Sequence, residues 1–112
     1  MLKKENRLTK NKHFKFIYKK GKSKQTQFLT LVFVRTYFQP FKVGFSVNKK
    51  IGKSVVRNLV KRRLRECFKL IQNNVNPNFN YIFVAKPGLD KISFWDLKQE
   101  MENILKKAGL LV

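Results

Sequence analysis

The stretch from Asn48 to Lys69, NKKIGKSVVRNLVKRRLRECFK, constrains the chain more than any other. It opens with a glycine-centred basic turn, KKIGK, and continues into a segment of helical periodicity from about Ser54 to Gln72. At about 100° per residue, Val56, Leu59, Val60, Leu64, Cys67, Phe68 and Ile71 share one broad side. Arg57, Asn58, Lys61, Arg62, Arg65 and Lys69 share the other. The apolar side demands cover from the rest of the fold. The polar side is set apart by its sign: one acid, Glu66, stands among six basic residues between Arg57 and Lys69. A helix built only for solubility mixes signs. A stripe of one sign repels itself until an anionic partner neutralises it.

Charge over the whole chain points the same way. There are 26 Lys and Arg against 6 Asp and Glu, a formal charge of +20 on 112 residues, which makes nucleic acid the expected partner class, with anionic membrane as its competitor. A basic disordered tail is excluded by 43% hydrophobic residues, eleven of them Phe. The length suits one domain, residues 1–112, with one real core. No run approaches the roughly 18 apolar residues of a spanning helix, and no apolar signal region follows the basic start. The only cysteine, Cys67, fits a reducing compartment and the helix's apolar side, where it serves as small core filler. A cytoplasmic protein is expected.

Residues 1–8 read as extended or loosely held. Thr9 or Asn11 can cap a helix that runs to Lys20, with Gly21 as its stop. Phe14, Ile17 and Tyr18 share one side of it, and Phe16 points away. Phe14 and Tyr18 are either core anchors or ring faces that line a groove for an unpaired strand. Lys22–Gln27 reads as a loop. Alternation over 28–36 leaves both faces apolar, the pattern of a strand covered on each side. Tyr37–Pro40 reads as a turn into a strand over 41–47, and a hairpin between the two strands is the economical expectation. On that second strand Gly44 leaves room for another backbone to approach. Pro77 breaks the chain after the central helix, and Tyr81–Ala85 is a third strand, giving a strand–helix–strand unit with 41–47. Ser93 and Asp96 form a capping pair ahead of a last helix with the seam Leu97, Met101, Ile104, Leu105 and Ala108, closed by Gly109. Lys98, Glu100, Glu102 and Lys106 are expected to face water, and Trp95 to anchor the packing of its first turn.

Catalytic chemistry is not visible. The six acids are scattered, so no carboxylate cluster of the two-metal kind exists, and His13 has no local Cys or Asp to complete a zinc set. KKIGK is too short for a phosphate loop. Four of the six arginines, Arg57, Arg62, Arg63 and Arg65, lie in the central helix, and guanidinium gives planar bidentate contact with phosphates or base edges. Asn58 can both donate and accept, which suits 2′-hydroxyls. Arg63 lies at the edge of the apolar side and covers core with its stem. Glu66 is expected to pair with Arg62 or Arg63.

The run FKVGFSVNKKIGKSVVRNLVKRRLRE, Phe41–Glu66, resembles the signature of the bacterial ribonuclease P protein component. RLTKNKHFKFIYKKG at 7–21 looks like that family's opening helix, and YIFVAKPG at 81–88 resembles its late strand. The resemblance implies an α+β two-layer sandwich like the ribosomal protein S5 domain 2-like fold, in the order α-β-β-α-β-α, with an unusual left-handed β-α-β crossover. The usual prior for such a link is right-handed. It implies a non-catalytic protein subunit that binds a catalytic RNA and promotes removal of the 5′ leader from precursor tRNA, with the metal-activated water and its Mg2+ held mainly by the RNA. The positions that match the RNA-facing motif are Lys49, Lys50, Lys53, Arg57, Asn58, Lys61, Arg62 and Arg65. Those that match the leader cleft are Phe14, Tyr18 and Leu31. Two departures stand out: Leu59 follows Arg57-Asn58 where relatives carry arginine, and Leu31 falls where relatives are often aromatic. A basic ribosomal protein without a processing role is the alternative.

Overall fold

The computed structural model describes residues 6–112. Its elements are α1 (Asn11–Lys20), β1 (Lys22–Gln25), β2 (Leu29–Arg35), β3 (Val43–Ser46), α2 (Ser54–Ile71), β4 (Phe79–Ala85) and α3 (Phe94–Lys107). The strands form one mixed sheet in the order β1-β2-β4-β3, with β4 antiparallel to β2 and parallel to β3. The late apolar strand therefore sits in the middle, as a strand apolar on both faces must. Tyr81, Phe83 and Ala85 enter the larger core with α2 and α3, while Ile82 packs the other face with Leu8, Ile17 and Val32.

That second, smaller cluster corrects the expected two-layer sandwich. Helices α2 and α3 cover one face of the sheet, and α1 covers the other. Two further expectations give way. Residues 28–36 and 41–47 form no hairpin, because β4 inserts between them: Leu31 pairs with Phe83, and Phe83 with Phe45. Alternation fixes which face a side chain takes but not which strand lies alongside, and the 36–42 connection is long enough to pass one strand. Lys22–Gln25 is not loop but an antiparallel edge strand on β2, with all four side chains exposed. Its polar residues show no alternation because neither face is buried, and lysine on an edge discourages pairing with other chains.

Residues 6–8 are tied down rather than loose. Leu8 is buried, its N–H donates to Val43 O at 2.9 Å, and Asn6 Nδ2 donates to Phe41 O at 2.7 Å. The rest of the amino-terminal stretch, residues 1–5, lies outside the described residues. Neither Thr9 nor Asn11 caps α1; Lys10 holds that position without a side-chain bond. Gly21 does end the helix, but with φ −78° its role is spatial. A Cβ there would lie 2.5 Å from Ile17 O and 2.8 Å from Phe33 O.

In α2 the buried residues are Val60, Leu64, Cys67, Phe68 and Ile71, with Val56 and Leu59 half-buried, which matches the angular reading. The helix begins after Lys53, which makes no side-chain cap. Among the described residues Glu66 forms no ion pair; Lys98 and Glu102, one turn apart on α3, form one at 3.0 Å. Helix α3 starts as expected, with Ser93 Oγ accepting from Asp96 N at 3.1 Å, and Gly109 beyond its end takes φ 75°. Trp95 does not anchor the packing: it is 69% exposed, and Phe94 beside it packs against the core instead. Glu100 is half-buried and accepts from Thr26 Oγ1 at 2.9 Å, which ties α3 to the end of β1.

Candidate nucleic-acid interface

The turn ahead of α2 shows how the chain presents its cations. Ile51 is buried and plugs the turn into the core, Asn48 Oδ1 accepts from Lys50 N at 3.0 Å, and Gly52 takes φ 155°, a value that favours glycine. With the apolar residue inward and the backbone turned at glycine, Lys49, Lys50 and Lys53 are all left exposed. The polar side of α2 continues this surface with Asn58 and Arg62 exposed and Arg57, Lys61 and Arg65 half-buried. Arg57 Nε is shielded from solvent and has no hydrogen-bond partner. An unmet buried donor costs about 1–3 kcal/mol.

Lys61 and Arg65 do more than face solvent. They line a hollow of about 330 Å³ together with Phe14 from α1, Gly44 and Phe45 from β3, and Arg7 and Thr9 from the amino-terminal segment. Gly44 makes the hollow possible, although it is a side chain and not a backbone that uses the room. A Cβ at Gly44 would lie 2.6 Å from Phe14 Cζ, so the Phe14 ring occupies the place of the missing side chain. The half-buried Phe14 ring thereby joins the cations of α2 across the edge of the sheet. Tyr18 lies one helical turn beyond Phe14, 46% exposed, outside that hollow. Leu31 cannot take part. It is fully buried in the larger core under α2 and α3, on the opposite face of the sheet from α1. The motif match placed it in the cleft, but strand alternation turns its side chain the other way. Leu59 is half-buried on the apolar side of α2, where a charged residue would have to reach outward. Sequence reasoning missed Arg7 and Thr9 as lining residues, because only tertiary packing brings that segment to β3.

The remaining chemistry is quiet. Burial, with Glu66 adding to it, pushes the Cys67 thiol up to about 11, and its Sγ–H donates to Phe94 O at 3.6 Å. Burial also raises the Tyr81 hydroxyl, which donates to Asn76 O. Among the described residues no three of His, Cys, Asp and Glu gather to hold a metal ion, and no helix is long and apolar enough to cross a membrane.

Comparison with known proteins bears on the family and the fold. The Ribonuclease P family profile matches residues 2–109. The ribonuclease P protein component of Caldanaerobacter subterraneus subsp. tengcongensis is 39% identical over 110 residues, spanning 98% of this chain and 95% of that one. The component from Clostridium botulinum is 36% identical over 108 residues, spanning 96% and 97%. Among solved structures, the RNase P protein of Staphylococcus aureus superposes with a TM-score of 0.88 at 30% identity, covering 97% of this chain and 100% of that one. The RNase P protein of Thermotoga maritima gives 0.82 at 28% identity, covering 90% and 96%. By sequence and by fold, this chain belongs to the bacterial ribonuclease P protein family.

Proposed function

We propose that this chain seats on the catalytic RNA through the outer side of α2 and its leading turn, and holds the 5′ leader of precursor tRNA in the cleft beside α1. It is the protein subunit of ribonuclease P, and the chemistry belongs to the RNA. The observation that carries the reading is the hollow in which Phe14 meets Lys61 and Arg65 over Gly44. A ring face for a leader base stands there beside two cations for phosphates of the catalytic RNA, so the leader lies against the RNA that cleaves it.

Lys49, Lys50, Lys53, Arg57, Asn58, Lys61, Arg62 and Arg65 are assigned to the catalytic RNA, and Phe14 and Tyr18 to the leader. Leu31 is left out for its burial. Divalent ions want hard oxygen ligands in numbers, and the scattered acids do not supply them, so Mg2+ is assigned to the RNA and no step is routed through the protein. A charge of +20 serves the same end by neutralising phosphates and releasing counterions where two RNAs meet. The chain is read as one cytoplasmic domain over 1–112. Its fold is assigned to the ribosomal protein S5 domain 2-like class, with α1 added on the second face of the sheet; adjacent parallel strands β3 and β4 joined through α2 supply the crossover, and its left hand is what the family resemblance implies.

The experiment is leader cleavage by the RNA subunit at low Mg2+, with and without the protein. Cleavage that needs the protein supports the reading; cleavage indifferent to it sinks it. With Arg57, Lys61 and Arg65 all replaced by Ala, the slope of log affinity for the catalytic RNA against log salt should flatten by about one for each phosphate the helix no longer neutralises. Tyr18→Ala, at an exposed position, should weaken binding of precursor relative to mature tRNA by about 1–3 kcal/mol.

A further inference from the structure

Helix α1 has a second flank, and the leader reading does not use it. Tyr37 and Phe38 are 82% and 83% exposed, and Phe16, on the side of α1 away from Phe14, is 55% exposed. These three rings border one hollow of about 540 Å³, which Val34, Arg35 and Pro40 also line. Exposed apolar surface of this extent on a small domain marks an interaction site. The rings are not swinging free. Thr36 N donates to Asn78 O at 2.9 Å, Phe38 N to Thr36 Oγ1 at 3.2 Å, and Gln39 Nε2 to Pro77 O at 2.9 Å. The turn is pinned to the chain entering β4, and its two aromatics are held outward in advance of any partner.

Arg35 decides what that partner is. Its guanidinium lies 5.4 Å from the centroid of the Tyr37 ring, within cation–π range, and the residue is exposed. Arg35 and Val34 also line the adjoining hollow of about 700 Å³, with Lys20 from the end of α1 and Lys22 and Lys24 from β1. No described residue that lines either hollow is acidic. An apolar protein knob would use the rings and leave a row of cations unanswered. Rings and cations that meet at Arg35, which lines both hollows, suit bases followed by phosphates around the edge of the sheet.

We propose that the flank of α1 bearing Phe16, Tyr37 and Phe38, continued through Arg35 to the lysines of β1, is a second path for unpaired RNA, separate from the leader cleft. Leu8 and the body of α1 divide the two paths, since the Leu8 side chain borders both hollows. The path binds by stacking and charge and so tolerates sequence.

Full-length protein is titrated against a fluorescein-labelled dodecauridylate, with anisotropy as the readout. Tyr37→Ala and Phe38→Ala should each lower affinity about fivefold, the lower end of the ~1–3 kcal/mol stacking range, because both rings keep one face in water. The salt slope should stay unchanged, since no charge is removed, while Tyr37→Phe and Phe38→Tyr should bind like wild type. Arg35→Gln with Lys22→Gln and Lys24→Gln should flatten the slope. Both rings are surface groups whose backbone bonds survive substitution, so loss of binding will not be loss of fold. Wild-type affinity in the Tyr37→Ala/Phe38→Ala double variant overturns the proposal. So does sedimentation that shows a wild-type dimer broken by the double variant with oligonucleotide affinity intact, which would make the patch an interface between copies of the chain. Failure of the leader reading is scored separately, by Tyr18→Ala in the precursor assay.

Discussion

Replacing Gly44 with alanine tests how the cleft is built. The added Cβ would stand 2.6 and 2.7 Å from Phe14 Cζ and Cε1, and 3.0 Å from Leu8 Cδ2. Carbon atoms sit comfortably at about 3.5–4.0 Å, so the ring must retreat by about 1 Å. Overpacking of this kind costs about 1–3 kcal/mol, offset by the roughly 0.5–1 kcal/mol that alanine gains over glycine within a strand. The expected net loss is about 1–2 kcal/mol, and the ring leaves the position from which it would meet a base. In a Phe14→Ala background the two closest contacts are gone and the third is the flexible end of Leu8, so Gly44→Ala should become neutral or slightly stabilising. Urea unfolding of wild type, both single variants and the double variant gives a coupling energy, expected at about 1–3 kcal/mol. Leader affinity in the same four proteins should fall with either single change and no further in the double. Effects that add within about 0.5 kcal/mol would refute the claim that Gly44 exists to seat Phe14.

Gly21→Ala should be more damaging, because its new methyl meets the backbone oxygens of Ile17 and Phe33, which cannot move aside; a loss of about 3 kcal/mol or more is expected by urea unfolding. Ser93→Ala should cost about 1 kcal/mol by the same measurement, through loss of the bond from Asp96 N. Cys67 has a folded pKa raised from 9.0 to about 11, so folding favours its neutral thiol: that contribution is complete below about pH 9 and is lost as pH climbs through 11. The stability of wild type relative to Cys67→Ala should therefore shrink between pH 8 and pH 10.5, and iodoacetamide should label the native protein slowly if at all.

The sequence determined a good deal by itself. The two faces of α2 followed from angles alone, because its periodicity is long and its two sides differ in polarity and in sign. The cap at Ser93, the seam of α3 and the left-handed glycine at 109 were legible for a related reason: each is a local rule satisfied within a few residues. The partner class followed from net charge, which needs no structure.

What local rules do not carry is adjacency. Two apolar strands and a turn described β2 and β3 correctly one at a time, yet β4, 30-odd residues further on, is what separates them. β1 left no hydrophobic trace, since an edge strand exposed on every side is stabilised by backbone bonds that any sequence can make. Trp95 looked like an anchor by size, and its exposure was decided by which way the first turn of α3 lies on the core. Leu31 is the sharpest case. Motif position put it in the cleft, while the register of β2 against β4 put its side chain on the other face of the sheet. The chemistry of the cleft was readable in Phe14, Lys61 and Arg65 as residue types. Their meeting over Gly44 was decided by tertiary structure, because only the packing of α1 on one face, with α2 rising past the sheet edge from the other, brings three distant segments to one hollow.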